Sequence, residues 1–425
     1  MAPIPANRGI IELATTISNS VARLQEVLTA EGIPPLSFQE NAPIELPKGA
    51  LEARDAVLDA TAELHDLILD PLTLLFKNAA NNNLVSQQAI SRLGIANIVP
   101  LGGQVSYADI AQEVGLSESM IKRVVRHAMT MHIFYEPEPG MVAHTKVSKL
   151  LRLPHLHDWV GTGSEEMWPA AVKLVDAIQQ WPDSQEPNET AFALANGVSD
   201  TMYNIVHASP TRAARFSGAM KAFTSGAAFD ISHLLDNYDW ASLGQVQVVD
   251  IGGARGHVAL RLAQKFENLN IIVQDLENVV AGAEENLPKD LKKRVNFMVH
   301  DFFTPQRIAA DVYILRWILH NWSNKYCFQI LRALIPALAP GARILIVETC
   351  MPEPGKIAFW RELRLRSMDL NMAATFNSQE RSIGEWKCLL KEADSRFELK
   401  KVIEPRGSAL AIIDVLWGDK EDAIA

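Results

Sequence analysis

A run of small apolar residues, Val248–Ile251, ends in the turn Gly252–Gly253–Ala254–Arg255–Gly256 and leads straight into HVALRLA. Glycines at 252, 253 and 256 let the backbone come close to a ligand, and a helix starting there directs its free N–H groups at the same point. Such a turn serves many nucleotide binders and alone names no ligand. The acids around it narrow the choice. Asp250 precedes the glycines, Asp275 closes the next apolar run with Leu276 beside it, and Asp301 follows the third in VHDFF, next to Phe302. An acid after the second strand can accept hydrogen bonds from both ribose hydroxyls. An acid after the third can take an adenine amino group while an aromatic ring packs beside the purine. Acids and glycines after three consecutive strands make one crevice for one nucleoside, and the pattern favours S-adenosylmethionine over a nicotinamide cofactor.

These residues need a sheet to carry them. Apolar runs at Val246–Ile251, Asn270–Gln274, Val295–Val299, Ala310–Leu315, Ala342–Glu348 and Ala409–Leu416 read as strands, with helices such as Gly256–Phe266 and Lys325–Leu338 between most of them. Strand–helix alternation of this kind specifies an α/β, doubly wound, mostly parallel sheet covered on both faces. Upstream the rhythm is helical. Ile10–Ala30 repeats apolar residues at three- and four-residue steps before Gly32 and Pro34–Pro35 stop it, and a second pattern runs from about Ala50 to Phe76. Neither has a core of its own, so each must pack on the same chain or on a partner subunit. Residues 84–150 give a helix, a Ser-capped helix at Ser106–Val114, a turn at Gly115, a third helix from Ser117 to about Met131, and a hairpin expected over Ile133–His144. That order describes a winged helix. Lys122, Arg123, Arg126 and His127 on its third helix allow a DNA-binding reading, against which stands a structural or dimer-forming module with a solvated basic face. A helical stretch over 151–235, rich in Met and aromatic residues, follows and is expected to bridge to the sheet domain at 236–425; such side chains line apolar pockets or fill ordinary core.

The bulk numbers agree with an intracellular enzyme of two domains. The chain has 425 residues, 48% apolar and 21% charged, with 40 basic against 50 acidic groups. A net charge of −10 disfavours a general nucleic-acid binder. Cys327, Cys350 and Cys388 are far apart and show no C-x-x-C pair, so no zinc site, other metal site or disulfide framework is expected. No basic stretch followed by an apolar core opens the sequence and no apolar run is long enough to span a bilayer, so a cytoplasmic location is expected.

The segments VVDIGGARGH, QDLENV, HDFF, LRWILHNWS and VETCMPEPG, in this order and spacing, resemble the S-adenosylmethionine-dependent O-methyltransferases of the plant caffeic-acid and fungal polyketide type. The resemblance implies a Rossmann-like class I methyltransferase domain behind an N-terminal helical and winged-helix dimerisation domain (residues 1–150), and a homodimer. It implies that Gly252, Asp275, Asp301, Phe302 and Arg316 contact the cofactor, that His320 is the general base, and that Glu348 and Glu380 hold its imidazole. Ala254 departs from the third glycine of many relatives; alanine there is expected to tighten the turn unless the position needs positive φ. The chemistry fits independently. A phenol or enol becomes a good nucleophile once deprotonated, imidazole titrates near neutrality, and the methyl group of a sulfonium needs neither metal nor covalent intermediate. His155, Trp168, Met220 and Phe223 from the bridge, with Trp317 and Asn321 from LRWILHNWS, are the candidate substrate contacts for a hydrophobic, hydroxylated aromatic or polyketide-type metabolite.

Some proteins of this architecture bind S-adenosylmethionine yet catalyse dehydration or pericyclic ring formation. Arg316, with His155 or His157 polarising a carbonyl, offers that alternative here. The combination of His320, Glu348 and Glu380 favours methyl transfer, because a pericyclase has no need of the base.

Overall fold

The computed structural model describes residues 8–78 and 81–419. The chain folds into two compact units, each built from separated stretches. One contains the residues up to 169 together with 206–222 and 354–366, and the other contains 170–205, 223–353 and 367 onward. The 151–235 stretch, expected as one bridge, is therefore divided between them.

In the first unit, helix α1 (Ile10–Ala30) follows its predicted range and packs on α2 (Leu51–Ile68), burying Leu13, Leu28, Ala53 and Ala60. The second predicted helix does not run on to Phe76. It stops at Ile68, and α3 (Pro71–Asn78) starts afresh. Proline at 71 disfavours helical geometry at the residue before it. Asp70 instead caps the new helix, its Oδ1 accepting the N–H groups of Leu72 and Thr73, both at 3.0 Å. Asp59 on α2 accepts from Trp360 Nε1 at 2.7 Å and Arg361 Nε at 2.8 Å, so part of this helical arm packs on its own chain. Ile11, Ile68, Leu75 and Phe76 stay exposed.

Helices Asn82–Arg92, Tyr107–Val114 and Glu118–Met129 enclose a core of Ile90, Ile95, Ile110, Ile121, Val125 and Val142. Ser106 and Ser117 cap the second and third as their sequence positions suggested. The expected hairpin is corrected. Met141–Ala143 pairs with Gln104–Ser106, and the 133–140 arm contributes only the single bridge Tyr135–Ala143. Positive φ at His132 (59°) and Phe134 (65°) breaks that arm before it can extend. On the third helix, Arg126 is bound bidentately by Glu136 at 2.9 and 2.8 Å, Lys122 pairs with Glu118, and His127 Nδ1 meets Ser86 Oγ at 2.8 Å. Much of the basic face is thus neutralised within the fold.

The second unit is built on a seven-stranded sheet: β1 (Val246–Ile251), β2 (Leu269–Asp275), β3 (Val295–Val299), β4 (Val312–Arg316), β5 (Arg343–Glu348), β6 (Phe397–Ile403) and β7 (Ala411–Trp417). Their spatial order is β6-β7-β5-β4-β1-β2-β3, all parallel except β7, which is antiparallel to both neighbours. Along β4, Tyr313 and Leu315 enter one core with Ile344, Leu331 and Trp386, while Val312 and Ile314 enter the other with Val248, Ile271 and Trp240. Burial on both faces is why these strands read as nearly unbroken apolar runs. Between β1 and β4 the strand order reverses, which opens a crevice at their carboxyl ends.

Candidate active site

The glycine turn leaves β1 at that crevice. Gly252 takes φ +65°, and a Cβ there would lie 2.4 Å from Ile318 Cδ1; at Gly253 it would lie 2.6 Å from Asp250 Oδ2. Gly256 takes φ +77° against the Phe297 ring. The glycines therefore let Ile318, Asp250 and Phe297 pack hard against the turn, and the N–H groups of Gly252 and Gly253 are already given to Gln274 O, at 2.8 and 3.2 Å. Ala254 does adopt positive φ, 48°, so the reservation about this position applies: alanine sits here under strain. Its N–H donates to Asp275 Oδ2 at 2.9 Å, which ties the turn to the end of β2.

Asp250 is buried and its Oδ2 has no hydrogen-bond partner. Burial lifts its pKa to about 7, against the pull of the Arg316 charge and with a push from Asp275. Asp275 uses one oxygen for Ala254 and the other for the Leu276 N–H at 2.8 Å. A carboxylate offers about four lone-pair directions, so capacity for two hydroxyls remains. Leu276 is exposed beside it. Asp301, also exposed, accepts from the Phe303 N–H at 3.0 Å, and the Phe302 ring lies 6.2 Å from Trp322. An unsatisfied buried acid, a turn with three glycines, and two further acids with an aromatic ring at successive strand ends fit a nucleoside cofactor.

Arg316 donates to Phe229 O at 2.9 Å and lies over the Trp317 ring at 4.3 Å. Trp317 takes φ +56°, uncommon for so large a residue, and packs with Phe223 and Phe229, each at 5.4 Å. Asn321 Nδ2 donates to Trp317 O at 3.1 Å and holds that conformation. Of the predicted substrate contacts, Phe223, Trp317 and Asn321 share this unit. His155, Trp168 and Met220 belong to the other, half-buried on its helices, where His157 is hydrogen-bonded to Ser91 O at 2.9 Å.

His320 lies in a single helical turn, Leu319–Asn321, between β4 and helix Asn324–Leu334. Its Nδ1 meets Glu380 Oε1 at 3.0 Å, with side chains 11% and 1% exposed. A carboxylate accepts, so Nδ1 carries the hydrogen and Nε2, which bonds no described residue, carries the lone pair. Burial alone would depress the imidazole pKa; the hydrogen bond and charge of Glu380 with the charge of Glu348 outweigh it, so the net shift is upward despite opposition from Arg381.

Glu348 differs from expectation. It makes no hydrogen bond to the imidazole. Its Oε1 accepts the N–H groups of Ile318 at 3.0 Å and Leu319 at 2.7 Å, holding the turn rather than the ring. The reason is position: Glu348 ends β5 beside β4, level with the backbone that leaves β4. It is fully buried, Oε2 has no partner, and burial raises it to about 7. Sequence reasoning missed Arg381 and Asp369. Arg381 is fully buried under the same turn, and Asp369 fixes the Glu380 backbone N–H at 2.8 Å. The only sequence signal for Arg381 was its place next to Glu380.

Residues 172–396 match the O-methyltransferase domain and 85–152 the O-methyltransferase dimerisation domain. The chain is 45% identical over 411 residues to the O-methyltransferase PaMT of Phomopsis amygdali, covering 96% of each, and 39% identical to the O-methyltransferase pyvH of Aspergillus violaceofuscus, covering 97% and 99%. Among solved structures it resembles LepI in complex with SAM, at TM-score 0.72 and 22% identity over 95% of this chain and 99% of that one. It also resembles OxaC with SAH and oxaline, at TM-score 0.70 and 21% identity over the same shares. At those identities the likeness is one of fold. With both domains matched and curated relatives aligned nearly end to end, the chain belongs to the S-adenosylmethionine-dependent O-methyltransferase family.

Proposed function

We propose that the protein methylates a hydroxyl of a hydrophobic aromatic or polyketide-type metabolite, with His320 as general base. The observation that carries this is the buried His320–Glu380 pair, which leaves Nε2 as the one imidazole atom able to take a proton. Bound S-adenosylmethionine supplies an electrophilic methyl group on sulfur. The chain's own residues do the rest. Gly252, Gly253 and Gly256 keep the turn free of Cβ atoms where the cofactor would lie, Asp275 would take the ribose hydroxyls, and Asp301 with Phe302 would take the adenine. Asp250 and Arg316, coupled to each other, set the charge at the ends of β1 and β4. His320 Nε2 removes the acceptor hydroxyl proton as the oxygen attacks, and Glu380 stabilises the imidazolium that forms. Trp317, held by Asn321 and flanked by Phe223, gives an apolar wall three residues before the base. Holding the reacting groups in line is the remaining contribution.

Relatives such as the grayanic acid biosynthesis cluster O-methyltransferase of Cladonia grayi support a secondary-metabolite acceptor. The dimerisation-domain match supports a homodimer, which light scattering on the purified chain would report as twice the mass of 47.0 kDa. Among the described residues no helix is long and apolar enough to cross a membrane.

The test is incubation with S-adenosylmethionine and a panel of phenolic and enolic polyketides, following product and cofactor together by mass spectrometry. Methyl transfer gives one S-adenosylhomocysteine for each product heavier by one methyl-for-hydrogen exchange. His320→Ala then lowers turnover by about 10²–10⁴-fold while cofactor binding survives. A product formed with the cofactor intact would replace this reading with the pericyclic one.

A further inference from the structure

Arg381 is fully buried, and among the described residues no carboxylate lies within ion-pair distance of its guanidinium. Its donors go to the turn that carries His320. Nη1 reaches Leu319 O at 3.2 Å and Gln379 O at 3.4 Å. Nη2 reaches Trp322 O at 2.9 Å, while Nε and Nη2 share Asn324 Oδ1 at 3.2 and 2.9 Å. Cys327 Sγ lies against the same two carbonyls, at 3.3 Å from each. On the opposite side, Glu348 accepts the N–H groups of Ile318 and Leu319. One buried carboxyl group therefore grips the amides of Ile318 and Leu319, and one buried cation grips the carbonyls of Leu319 and Trp322.

A neutral side chain could satisfy those carbonyls at less desolvation cost, so the charge itself calls for a reason. The groups facing the imidazole supply one: Glu380, directly before the two-residue strand Arg381–Ser382 that pairs with Cys350–Met351, Glu348 from β5, and Arg381 beneath the turn. Two acids around one base favour its protonated form, in which it cannot accept the substrate proton. We infer that Arg381 is a positioning residue for His320: it fixes the Leu319 and Trp322 carbonyls on either side of the base and sets a positive charge against the two acids that favour the protonated imidazole. This rests on His320 being the base.

Placement and charge separate experimentally. Arg381→Lys keeps the charge but cannot span Leu319 O, Trp322 O and Asn324 together. In the full-length enzyme, kcat at saturating cofactor and acceptor falls roughly 10–100-fold, with the acid limb of its pH profile in place. Arg381→Met loses both, so kcat falls and the limb moves up by about one pH unit. If either variant no longer binds S-adenosylmethionine, Asn324→Asp decides: it sets a carboxylate on the guanidinium, and the limb moves up by about 0.3 units or more. Lys and Met variants that bind the cofactor with wild-type kcat and wild-type limb overturn the inference, as does an unmoved limb in Asn324→Asp where the other two fail to fold. Failure of the base assignment is distinguishable, because His320→Ala then retains turnover.

Discussion

Replacing Glu380 with glutamine removes one charge and leaves an oxygen that can stay 3.0 Å from His320 Nδ1. Charges about 4 Å apart interact by about 4 kcal/mol at an effective dielectric near 20. Desolvation of both groups reduces this to the shifts that neighbouring opposite charges produce, about 1–3 pKa units, or ~1.4–4 kcal/mol. The sign follows from the direction of the effect. Glu380 raises the imidazole pKa, so its loss lowers it, and the acid limb of kcat moves to lower pH. The same loss removes stabilisation from the imidazolium formed as the substrate proton leaves, so the plateau falls by about 10–10³-fold. A second cost arises because Glu380 Oε2 is buried without a partner. A glutamine NH2 placed there is an unsatisfied donor and destabilises the fold by about 1–3 kcal/mol. The assay is S-adenosylhomocysteine release at saturating substrates across the neutral pH range, with cofactor affinity measured alongside. An unchanged plateau, or a limb displaced upward, would refute the role given to Glu380.

Three further outcomes follow from the crevice. Asp250 holds its proton in the folded state up to about 7 against an ordinary 3.8, so the cofactor-free protein loses stability as pH rises through that window; Asp250→Asn should raise the melting temperature above the window and leave it little changed below. Gly252→Ala forces a Cβ against Ile318 at positive φ and should weaken S-adenosylmethionine binding at least tenfold by calorimetry, with a stability loss of about 1–3 kcal/mol. Ala254→Gly relieves the φ of 48°; a strain gain of about 1–2 kcal/mol is partly offset by the flexibility of glycine, so thermal unfolding should shift upward by a small amount with cofactor affinity retained.

What the sequence reveals about this site depends on which force places each residue. The strand ends bearing Asp250, Asp275 and Glu348 were legible because parallel strands buried on both faces leave long apolar runs, and a ligand crevice must lie where those runs stop. Edge strand β6, FELKKVI, escaped for the opposite reason. Its Lys400 and Lys401 are exposed, and a register shift between Leu399 and Lys401 erases the two-residue alternation. The winged-helix strand at Gln104–Ser106 escaped because three residues are too few to show a period.

The acids around His320 show the limit more sharply. That Glu348 and Glu380 converge on one histidine follows from family spacing, but their division of labour does not. One carboxylate binds the ring and the other binds the amides that carry it, and the choice is set by where each acid enters the site: Glu348 from the end of β5, beside the backbone leaving β4, and Glu380 from outside that sheet. No local pattern encodes that difference. Arg381 is further out of reach, since a buried cation whose partners are carbonyls leaves no complementary acid in the sequence to pair it with. For the base proposed here, then, the chain offers the histidine, while the direction of Nε2 and the balance of charge around it arise only when β4, β5 and the short strand Arg381–Ser382 come together. Turnover in this enzyme should accordingly respond to substitutions that never touch the substrate, at Glu348, Glu380 and Arg381, and their effects should be coupled rather than additive because all three act on one turn.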